Sequence, residues 1–282
     1  MGTLIQAGEL AARLGDPSLR IVDCRQDLVR PEYGRTAWAA GHVPGAVHAD
    51  LNRDLSGPVT ATSGRHPLPA PGDFAATLRR LGIGRDSRVV AYDDGNGMYA
   101  ARLWWMLRWL GHDDAVVLDG GWARWTALGL PVDTGTPAPA PGDFVAQPRP
   151  AMAVDAATVL AAIGDPATVM LDARAPERYR GDVEPIDAVA GHVPGALNRP
   201  FATGLAADGR FRPAPELRAL LLDDLGGVPP ASAIAMCGSG VTACHVLLAM
   251  EIAGLGGGRL YPGSWSEWSR DPARPVARGP QP

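Results

Sequence analysis

The sequence contains no lysine, so all 26 of its basic side chains are arginines. Acidic residues number 30, and the formal net charge at pH 7 is -4. This small negative charge excludes the strong positive potential with which many proteins attract nucleic acid or anionic lipid. We therefore predict a protein that binds neither nucleic acid nor membranes.

Cysteine is also scarce, with three residues among 282. An odd number in unlike sequence contexts does not fit a disulfide framework and favours a reducing, cytoplasmic location. The N-terminus lacks a basic segment followed by an apolar run, so we expect no signal peptide. No apolar run reaches the roughly 18 residues that a membrane-spanning helix needs, and even the run 103–110 is interrupted by Arg108.

The two halves of the chain repeat the same motifs in the same order. Gly-His-Val-Pro-Gly-Ala occurs at 41–46 and 191–196, and an apolar run ending in Asp-x-Arg precedes each copy. Two copies of this size indicate a tandem pair of domains rather than a solenoid. We predict a first domain over 1–132, a linker rich in Pro, Ala and Gly over 133–150, and a second domain over 151–282.

Within each copy, short apolar strands alternate with helices. Helices are predicted at 6–14 and 155–163, and again at 99–110 and 242–253. The apolar runs 88–92 and 232–236, each directly before a Gly-rich turn, are predicted strands, and so are 115–118 and 259–261. This alternation predicts the α/β class, with a mainly parallel sheet flanked by helices in each domain.

Cys237 follows the apolar run 233–236 and precedes Gly238-Ser239-Gly240. In open α/β sheets, ligands bind just beyond the carboxyl end of a strand. Two glycines allow the backbone to form a cradle of N–H groups around the sulfur, and the next helix adds the positive end of its dipole. Both effects favour the thiolate, so Cys237 is the predicted nucleophile. The alternative is a buried packing residue, the role that we predict for Cys24 and Cys244.

The first copy differs from the second at this position. Alignment of 89–92 with 233–236 places Asp93 where Cys237 stands. The loop 93–97 has no thiol, and its two adjacent carboxylates would repel anions. We therefore predict one active site per chain and a first domain that is catalytically silent but contributes side chains to the site.

In these features the chain resembles the tandem-domain rhodanese and 3-mercaptopyruvate sulfurtransferase family over nearly its whole length. The resemblance rests on the duplication, both Gly-His-Val-Pro-Gly-Ala turns, the loop 237–242 and the silent first copy. It implies two rhodanese-like domains and an enzyme that moves sulfur from a small anionic donor to Cys237, as a persulfide. A thiophilic acceptor such as cyanide, another thiol or thioredoxin then removes the sulfur.

The resemblance also implies roles for residues around the cysteine. Thiosulfate-type loops carry cations beside the cysteine, whereas Gly238-Ser239-Gly240 is neutral and resembles the mercaptopyruvate-type loop. In that branch Ser239 works with a histidine, which matches His66, and an aspartate. The aspartate position aligns with Asn52, so either Asp50 substitutes for it or the proton relay stops at His66.

Two arginines hold the donor carboxylate in that branch, by paired hydrogen bonds. The first matches Arg178, but Ile186 stands at the position of the second, and Arg180 is a candidate to compensate. We favour 3-mercaptopyruvate as the donor, with thiosulfate:cyanide transfer as the alternative. The predicted catalytic residues are Cys237, Ser239, His66 and Asp50, and the predicted substrate-binding residues are Arg178, Gly238, Gly240, Val241 and Thr242.

Other functions fit the sequence less well. A cysteine phosphatase needs an arginine where this loop reaches Ala243, and a non-catalytic binding module does not need Cys237. Gly95 and Gly97 lack the third glycine of a dinucleotide fingerprint, and the three cysteines are too far apart for structural zinc, so we predict no cofactor and no metal. His42 and His192 are predicted to hydrogen-bond the backbone of their turns.

Overall fold

The computed structural model describes residues 2–282 and divides into two compact units. The first unit comprises 2–57, 68–149 and 207–211, and the second comprises 58–67, 150–206 and 212–282. Each unit therefore includes a short segment from the other half of the sequence. The domain limits predicted above refer to the duplicated copies and stay a prediction.

The first unit is built on a five-stranded sheet. Its strands lie in the order β1-β5-β4-β2-β3, and every neighbouring pair is parallel. The strands are β1 (Leu4–Ile5), β2 (Leu19–Asp23), β3 (Val47–His48), β4 (Arg88–Tyr92) and β5 (Ala115–Leu118). The helices are α1 (Ala7–Ala11), α2 (Tyr33–Ala40), α3 (Pro71–Arg80), α4 (Met98–Trp109) and α5 (Gly121–Ala127).

The second unit repeats this plan with a four-stranded sheet in the order β7-β6-β8-β9, again parallel throughout. The strands are β6 (Val169–Asp172), β7 (Ala196–Asn198), β8 (Ala233–Met236) and β9 (Arg259–Leu260). The helices are α6 (Ala156–Ala162), α7 (Pro176–Arg180), α8 (Ala214–Leu225), α9 (Thr242–Ile252) and α10 (Ser264–Trp268). The predicted α/β class with parallel sheets is thus confirmed.

The strands and helices nearest the centre of each unit are the most apolar. All four residues of β8 are buried, as expected for a strand covered on both faces, and α9, which packs against β8 and β9, is buried from Ala243 to Met250. In the first unit α4 packs against β4 and β5 in the same way. The tryptophans of α4 are buried, as expected of large aromatic side chains that pack in a core.

Differences from the predicted elements have local causes. The first helix is shorter than 6–14, because the chain turns at 12–15 and Gly15 adopts a φ of 87°. The helix predicted at 155–163 begins at Ala156, because Asp155 is its N-cap: the Asp155 side chain accepts the N–H of Thr158, a preferred N-cap arrangement. The proline-rich stretch 134–149 contains neither helix nor strand.

The recurrence of Asp-x-Arg and Gly-His-Val-Pro-Gly-Ala has a structural reason. In each copy the arginine donates both to the aspartate and to the carbonyl of the turn's first glycine, so one buried ion pair fixes the turn. The residues are Arg25, Asp23 and Gly41 in the first copy and Arg174, Asp172 and Gly191 in the second. The turn histidines bond backbone as predicted, but to helical carbonyls before the turn, those of Trp38 and Tyr179.

Candidate active site

Cys237 lies between the end of β8 and the start of α9 and is 2% exposed. The backbone N–H of Gly240 donates to its Sγ at 3.2 Å. Gly240 has a φ of 78°, and a Cβ there would lie 2.6 Å from the carbonyl oxygen of Pro262, so no other residue fits. The loop thus directs a backbone dipole at the sulfur, an arrangement that stabilises negative charge there.

The backbone of Cys237 is held by the segment after β9. Its N–H donates to Ser264 Oγ at 3.1 Å, and its carbonyl accepts the N–H of Trp265 at 2.9 Å. Ser264 Oγ in turn donates to the carbonyl of Tyr261 at 2.9 Å. Ser264 has a φ of 52°, a left-handed conformation that non-glycine residues rarely adopt. This strained residue was not singled out from the sequence.

His66 and Ser239, two predicted catalytic residues far apart in the sequence, are brought together. His66 Nδ1 lies 2.8 Å from Ser239 Oγ in a hydrogen bond, and both residues are buried. The segment that carries His66 belongs to the second unit and is fixed there, since the N–H of Arg65 donates to Ser266 Oγ at 3.0 Å. A histidine paired with a hydroxyl in this way is able to move a proton.

Asp50, the fourth predicted catalytic residue, belongs to the first unit. Its Oδ1 accepts the backbone N–H groups of Asn52 at 2.8 Å and Arg53 at 2.9 Å. The carboxylate therefore caps a tight turn, and its role in a proton relay stays a prediction.

Two guanidinium groups lie beside Gly238, the residue after the cysteine. A Cβ on Gly238 would lie 3.1 Å from Nη2 of Arg65 and 3.4 Å from Nη1 of Arg178. Arg178 thus lies next to the loop, and its role in donor binding stays a prediction. Arg65 was not predicted as a site residue, although it directly precedes the predicted catalytic residue His66. Arg180, the candidate to compensate for Ile186, pairs with Asp182 at 2.7 Å, and Ile186 is exposed.

Acidic side chains hold both arginines. Arg178 donates to Glu184 at 2.6 Å and approaches Asp187 Oδ2 at 3.4 Å, while Arg65 forms an ion pair with Asp187 Oδ1. Burial raises the pKa of Asp187, although Arg65 and Arg178 oppose the shift. Burial also acts to raise the pKa of Glu184, but Arg178 and two backbone N–H groups lower it overall. Neither acid was predicted as a site residue.

A further buried cation, Arg174, lies within electrostatic range of the cysteine. Its guanidinium stacks 4.8 Å from the ring centre of Trp265 and pairs with Asp172 at 2.7 Å. Burial acts to lower its pKa, but Asp172, Glu184 and Cys237 together raise it. Arg174 therefore remains charged and favours negative charge on the sulfur.

Val241 and Thr242 form the start of α9. Thr242 is its first residue, and Val241 stands at the N-cap, so the amino end of this 11-residue helix adjoins the loop and adds its dipole. Cys244 is buried inside α9, with its Sγ 3.3 Å from the carbonyl oxygen of Gly240. Cys24 is buried. Burial raises the pKa of its thiol, and the negative charge of Asp23 raises it further. Both observations fit the predicted packing role.

The corresponding loop of the first unit encloses a carboxylate. Asp93 is 1% exposed, and its two oxygens accept four backbone N–H groups at 2.9 to 3.2 Å. The donors are Gly95, Gly97, Tyr99 and Ala100. Burial raises the pKa of Asp93 in spite of these four hydrogen bonds.

No group of three or more His, Cys, Asp or Glu side chains within 2–282 is placed to hold a metal ion. Over the same residues, none of the helices has the length and apolar character required to cross a bilayer.

Comparison with protein families matches the rhodanese-like domain twice, over residues 6–128 and 155–271. The chain is 51% identical to a probable 3-mercaptopyruvate sulfurtransferase of Pseudomonas aeruginosa over 98% of both chains. It is 44% identical to the putative thiosulfate sulfurtransferase SseB of Mycobacterium tuberculosis, covering 98% of this chain and 97% of that one.

Among solved structures, the chain is similar to that of SseA from Escherichia coli, a 3-mercaptopyruvate sulfotransferase, with a TM-score of 0.82 and 34% identity. The match covers 95% of this chain and all of that one. Two matched domains, relatives of this identity and a cysteine whose Sγ accepts a backbone N–H lead to one conclusion. The chain belongs to the tandem-domain rhodanese and 3-mercaptopyruvate sulfurtransferase family, as its motifs predicted, and is a sulfurtransferase.

Proposed function

We propose that the protein takes sulfur from 3-mercaptopyruvate, holds it as sulfane sulfur in a persulfide on Cys237, and transfers it to a thiol acceptor. The observation that carries this proposal is the loop 237–240, in which Gly240 donates to Sγ and two guanidinium groups lie beside Gly238. The loop itself is neutral, and the two guanidinium groups lie beside Gly238, the residue after the cysteine. That separation suits a donor whose sulfur and carboxylate are some bonds apart.

The first chemical step is attack of the Cys237 thiolate on the donor's sulfur. The new S–S bond forms as the carbon–sulfur bond of mercaptopyruvate breaks, and the electron pair of that bond moves into the enolate of pyruvate. The enolate then takes up a proton to give pyruvate, and Cys237 carries the persulfide. Arg174 and the Gly240 N–H stabilise the anionic sulfur before and after transfer.

Ser239 and His66 are placed to supply that proton. Their side chains are joined by a 2.8 Å hydrogen bond, so Ser239 is able to donate toward the leaving enolate while His66 replaces the proton. Asp50 is proposed to support this pair, as in the mercaptopyruvate branch of the family. Arg178 is proposed to bind the donor carboxylate.

The second step returns the cysteine to its thiolate form. A thiolate acceptor attacks the outer sulfur, takes it as a new persulfide and releases Cys237. We propose a small thiol or thioredoxin as the acceptor, and cyanide serves equally well chemically, because it leaves as thiocyanate. A cytoplasmic location is proposed on the basis of three free cysteines, which a reducing compartment keeps as thiols.

Thiosulfate is the second candidate donor, because a relative of 44% identity is named for it. Attack on its outer sulfur releases sulfite, a leaving group that needs no proton. The site has guanidinium groups near the loop, although each is paired with an acid.

Mass spectrometry of the active-site peptide tests the proposal. After incubation with either donor, the peptide that contains Cys237 is expected to gain the mass of one sulfur atom, and kcat/KM is expected to be higher for mercaptopyruvate than for thiosulfate. A label confined to the peptides of Cys24 or Cys244 would contradict the persulfide on Cys237. Absence of any label, with biological effect retained in Cys237→Ser, would favour a non-catalytic binding module.

A phosphatase is the remaining alternative. Ala243 occupies the position where such an enzyme carries its phosphate-binding arginine, and it is a buried residue of α9. Hydrolysis of an aryl phosphate that disappears in Cys237→Ala would revive this alternative.

A further inference from the structure

The sequence lacks the second arginine that the resemblance implies for the donor carboxylate. At position 186, where the resemblance implies a second cation, the side chain is an isoleucine with 48% of its surface exposed. A single arginine, Arg178, would then have to hold the donor carboxylate alone, with three of its contacts already made to acids.

Arg65 lies on the same side of the loop as Arg178. Its Nη2 is 3.1 Å from the position of a Cβ on Gly238, and Nη1 of Arg178 is 3.4 Å from the same point. Both nitrogens therefore approach one spot next to Cys237. Because Gly238 has no side chain, that spot is open to the atoms of a small substrate rather than filled by the loop itself.

The other edge of each guanidinium is occupied. Asp187 forms an ion pair with Nη1 of Arg65 and lies 3.4 Å from Nη2 of Arg178, and Glu184 accepts from Nε and Nη2 of Arg178. The acids thus contact Nη1 of Arg65 and Nε and Nη2 of Arg178, whereas Nη2 of Arg65 and Nη1 of Arg178 are the nitrogens nearest to the Gly238 position. The Asp187 side chain is 8% exposed, compared with 25% for Arg65, so the buried acid fixes the more exposed arginine.

From this arrangement we propose that Arg65 is the second donor-binding residue and that Asp187 is its positioning residue. Together they replace the cation absent from position 186. Arg65 Nη2 and Arg178 Nη1 receive the carboxylate of the donor, while Asp187 contacts both guanidinium groups and holds them beside Gly238. This inference rests on the proposed donor class and adds a residue that the family pattern does not supply.

The experiment compares four proteins with 3-mercaptopyruvate as the substrate: wild type, Arg65→Gln, Arg65→Gln with Ile186→Arg, and the control Arg212→Gln. Loss of a charge-assisted hydrogen bond to the carboxylate is expected to raise KM in Arg65→Gln at least about tenfold, with kcat little changed. Arginine at 186 is expected to recover most of that loss. Arg212, paired with Glu216, is expected to tolerate its substitution without effect.

Asp187→Asn tests the positioning role separately. It is expected to raise KM by less than Arg65→Gln does, with kcat retained, because one amide oxygen still accepts from Arg65. A lower KM in Asp187→Asn would overturn the proposal, since it would mean that Asp187 competes with the donor. An unchanged KM in Arg65→Gln would overturn it as well.

A binding measurement distinguishes this proposal from the proposed function. Calorimetry with 3-mercaptopyruvate and the Cys237→Ser protein measures binding without sulfur transfer. Adding Arg65→Gln to this protein is expected to raise Kd by the same factor by which Arg65→Gln raises KM. Equal Kd values with and without Arg65 would refute the anchor, even if the persulfide forms. Failure of wild type to form a persulfide, together with a weakened Kd, would instead refute the sulfur chemistry and leave the anchor standing.

Discussion

The loops after β4 and β8 occupy equivalent places in the two units, but different side chains accept hydrogen bonds from their backbone N–H groups. Both follow a buried parallel strand and lead into a buried helix. In the first, the Asp93 carboxylate accepts four backbone N–H groups, whereas in the second the Gly240 N–H donates to a thiol sulfur. The first loop thus satisfies its donors with a carboxylate of its own, and the second directs a donor at the sulfur of the proposed nucleophile.

The segments that hold these loops show the same contrast. Gly121 in the first unit directly precedes Trp122, and Ser264 in the second directly precedes Trp265. Their φ values are 50° and 52°. A Cβ on Gly121 would lie 2.4 Å from the carbonyl oxygen of Asp93. In the second unit the serine is accommodated, and its hydroxyl accepts the N–H of Cys237. A strained serine has thus been retained next to the reactive residue.

The substitution Cys237→Asp is expected to have the largest effect on activity. It gives the second loop the carboxylate that the first loop has. Sulfur transfer is expected to fall about a thousandfold or more, because the nucleophile is lost, while the protein stays folded. Steady-state kinetics and circular dichroism check this. Residual activity close to wild type would show that the reactive sulfur lies elsewhere.

His66→Gln is expected to lower kcat with mercaptopyruvate about a hundredfold, because the enolate then lacks its proton supply. With thiosulfate the loss should be much smaller, since sulfite leaves without a proton. Parallel assays with the two donors measure the difference. The same loss with both donors would assign His66 to holding the loop rather than to proton transfer. Ser239→Ala should behave alike, and the double variant should lose little more.

Asp93→Asn is expected to destabilise the protein by about 2 kcal/mol, since an amide nitrogen then faces buried N–H groups. The raised pKa of Asp93 means that the native state binds more protons than the unfolded state just above pH 4. Wild-type stability from this group therefore falls as pH rises through that window. In urea denaturation, the difference in free energy of unfolding between wild type and Asp93→Asn should therefore be larger at pH 4 than at pH 7. A pH-independent loss would contradict the shift.

Ser264→Ala is expected to cost about 1 kcal/mol, because a buried N–H loses its acceptor while the left-handed backbone remains. Ser264→Gly loses the same bond but relieves strain of about 1 kcal/mol, so it should be close to neutral in stability. Urea denaturation of both variants makes the comparison. If glycine proves the more damaging substitution, Ser264 is not strained.

The fold and the reactive loop were accessible from the sequence because both depend on local patterns. The apolar run 233–236 and the two glycines after Cys237 indicate strand, cradle and helix within ten residues. The roles of Arg65, Asp187 and Ser264 were not accessible, because each depends on contacts between distant segments. A left-handed serine has no sequence signature, and the partner of an arginine at 65 is found at 187 only once the chain is folded.

Asp50 shows a second reason why a site residue is hard to predict from sequence. Alignment to the family pattern chose it as a substitute for the residue at Asn52, yet its carboxylate caps the turn that contains Asn52. Sequence matching reports which residue types are present. It does not report that a backbone N–H already occupies an oxygen atom.

The exchange of residues 58–67 into the second unit has an evolutionary consequence. After a gene duplication, an inactive copy is usually free to decay or be deleted. Here deletion of the first copy would also remove His66, which bonds Ser239, and Arg65, which lies beside the reactive loop. Selection on the copy that carries Cys237 would therefore also preserve the first copy, because residues of the first half of the sequence lie in the second unit.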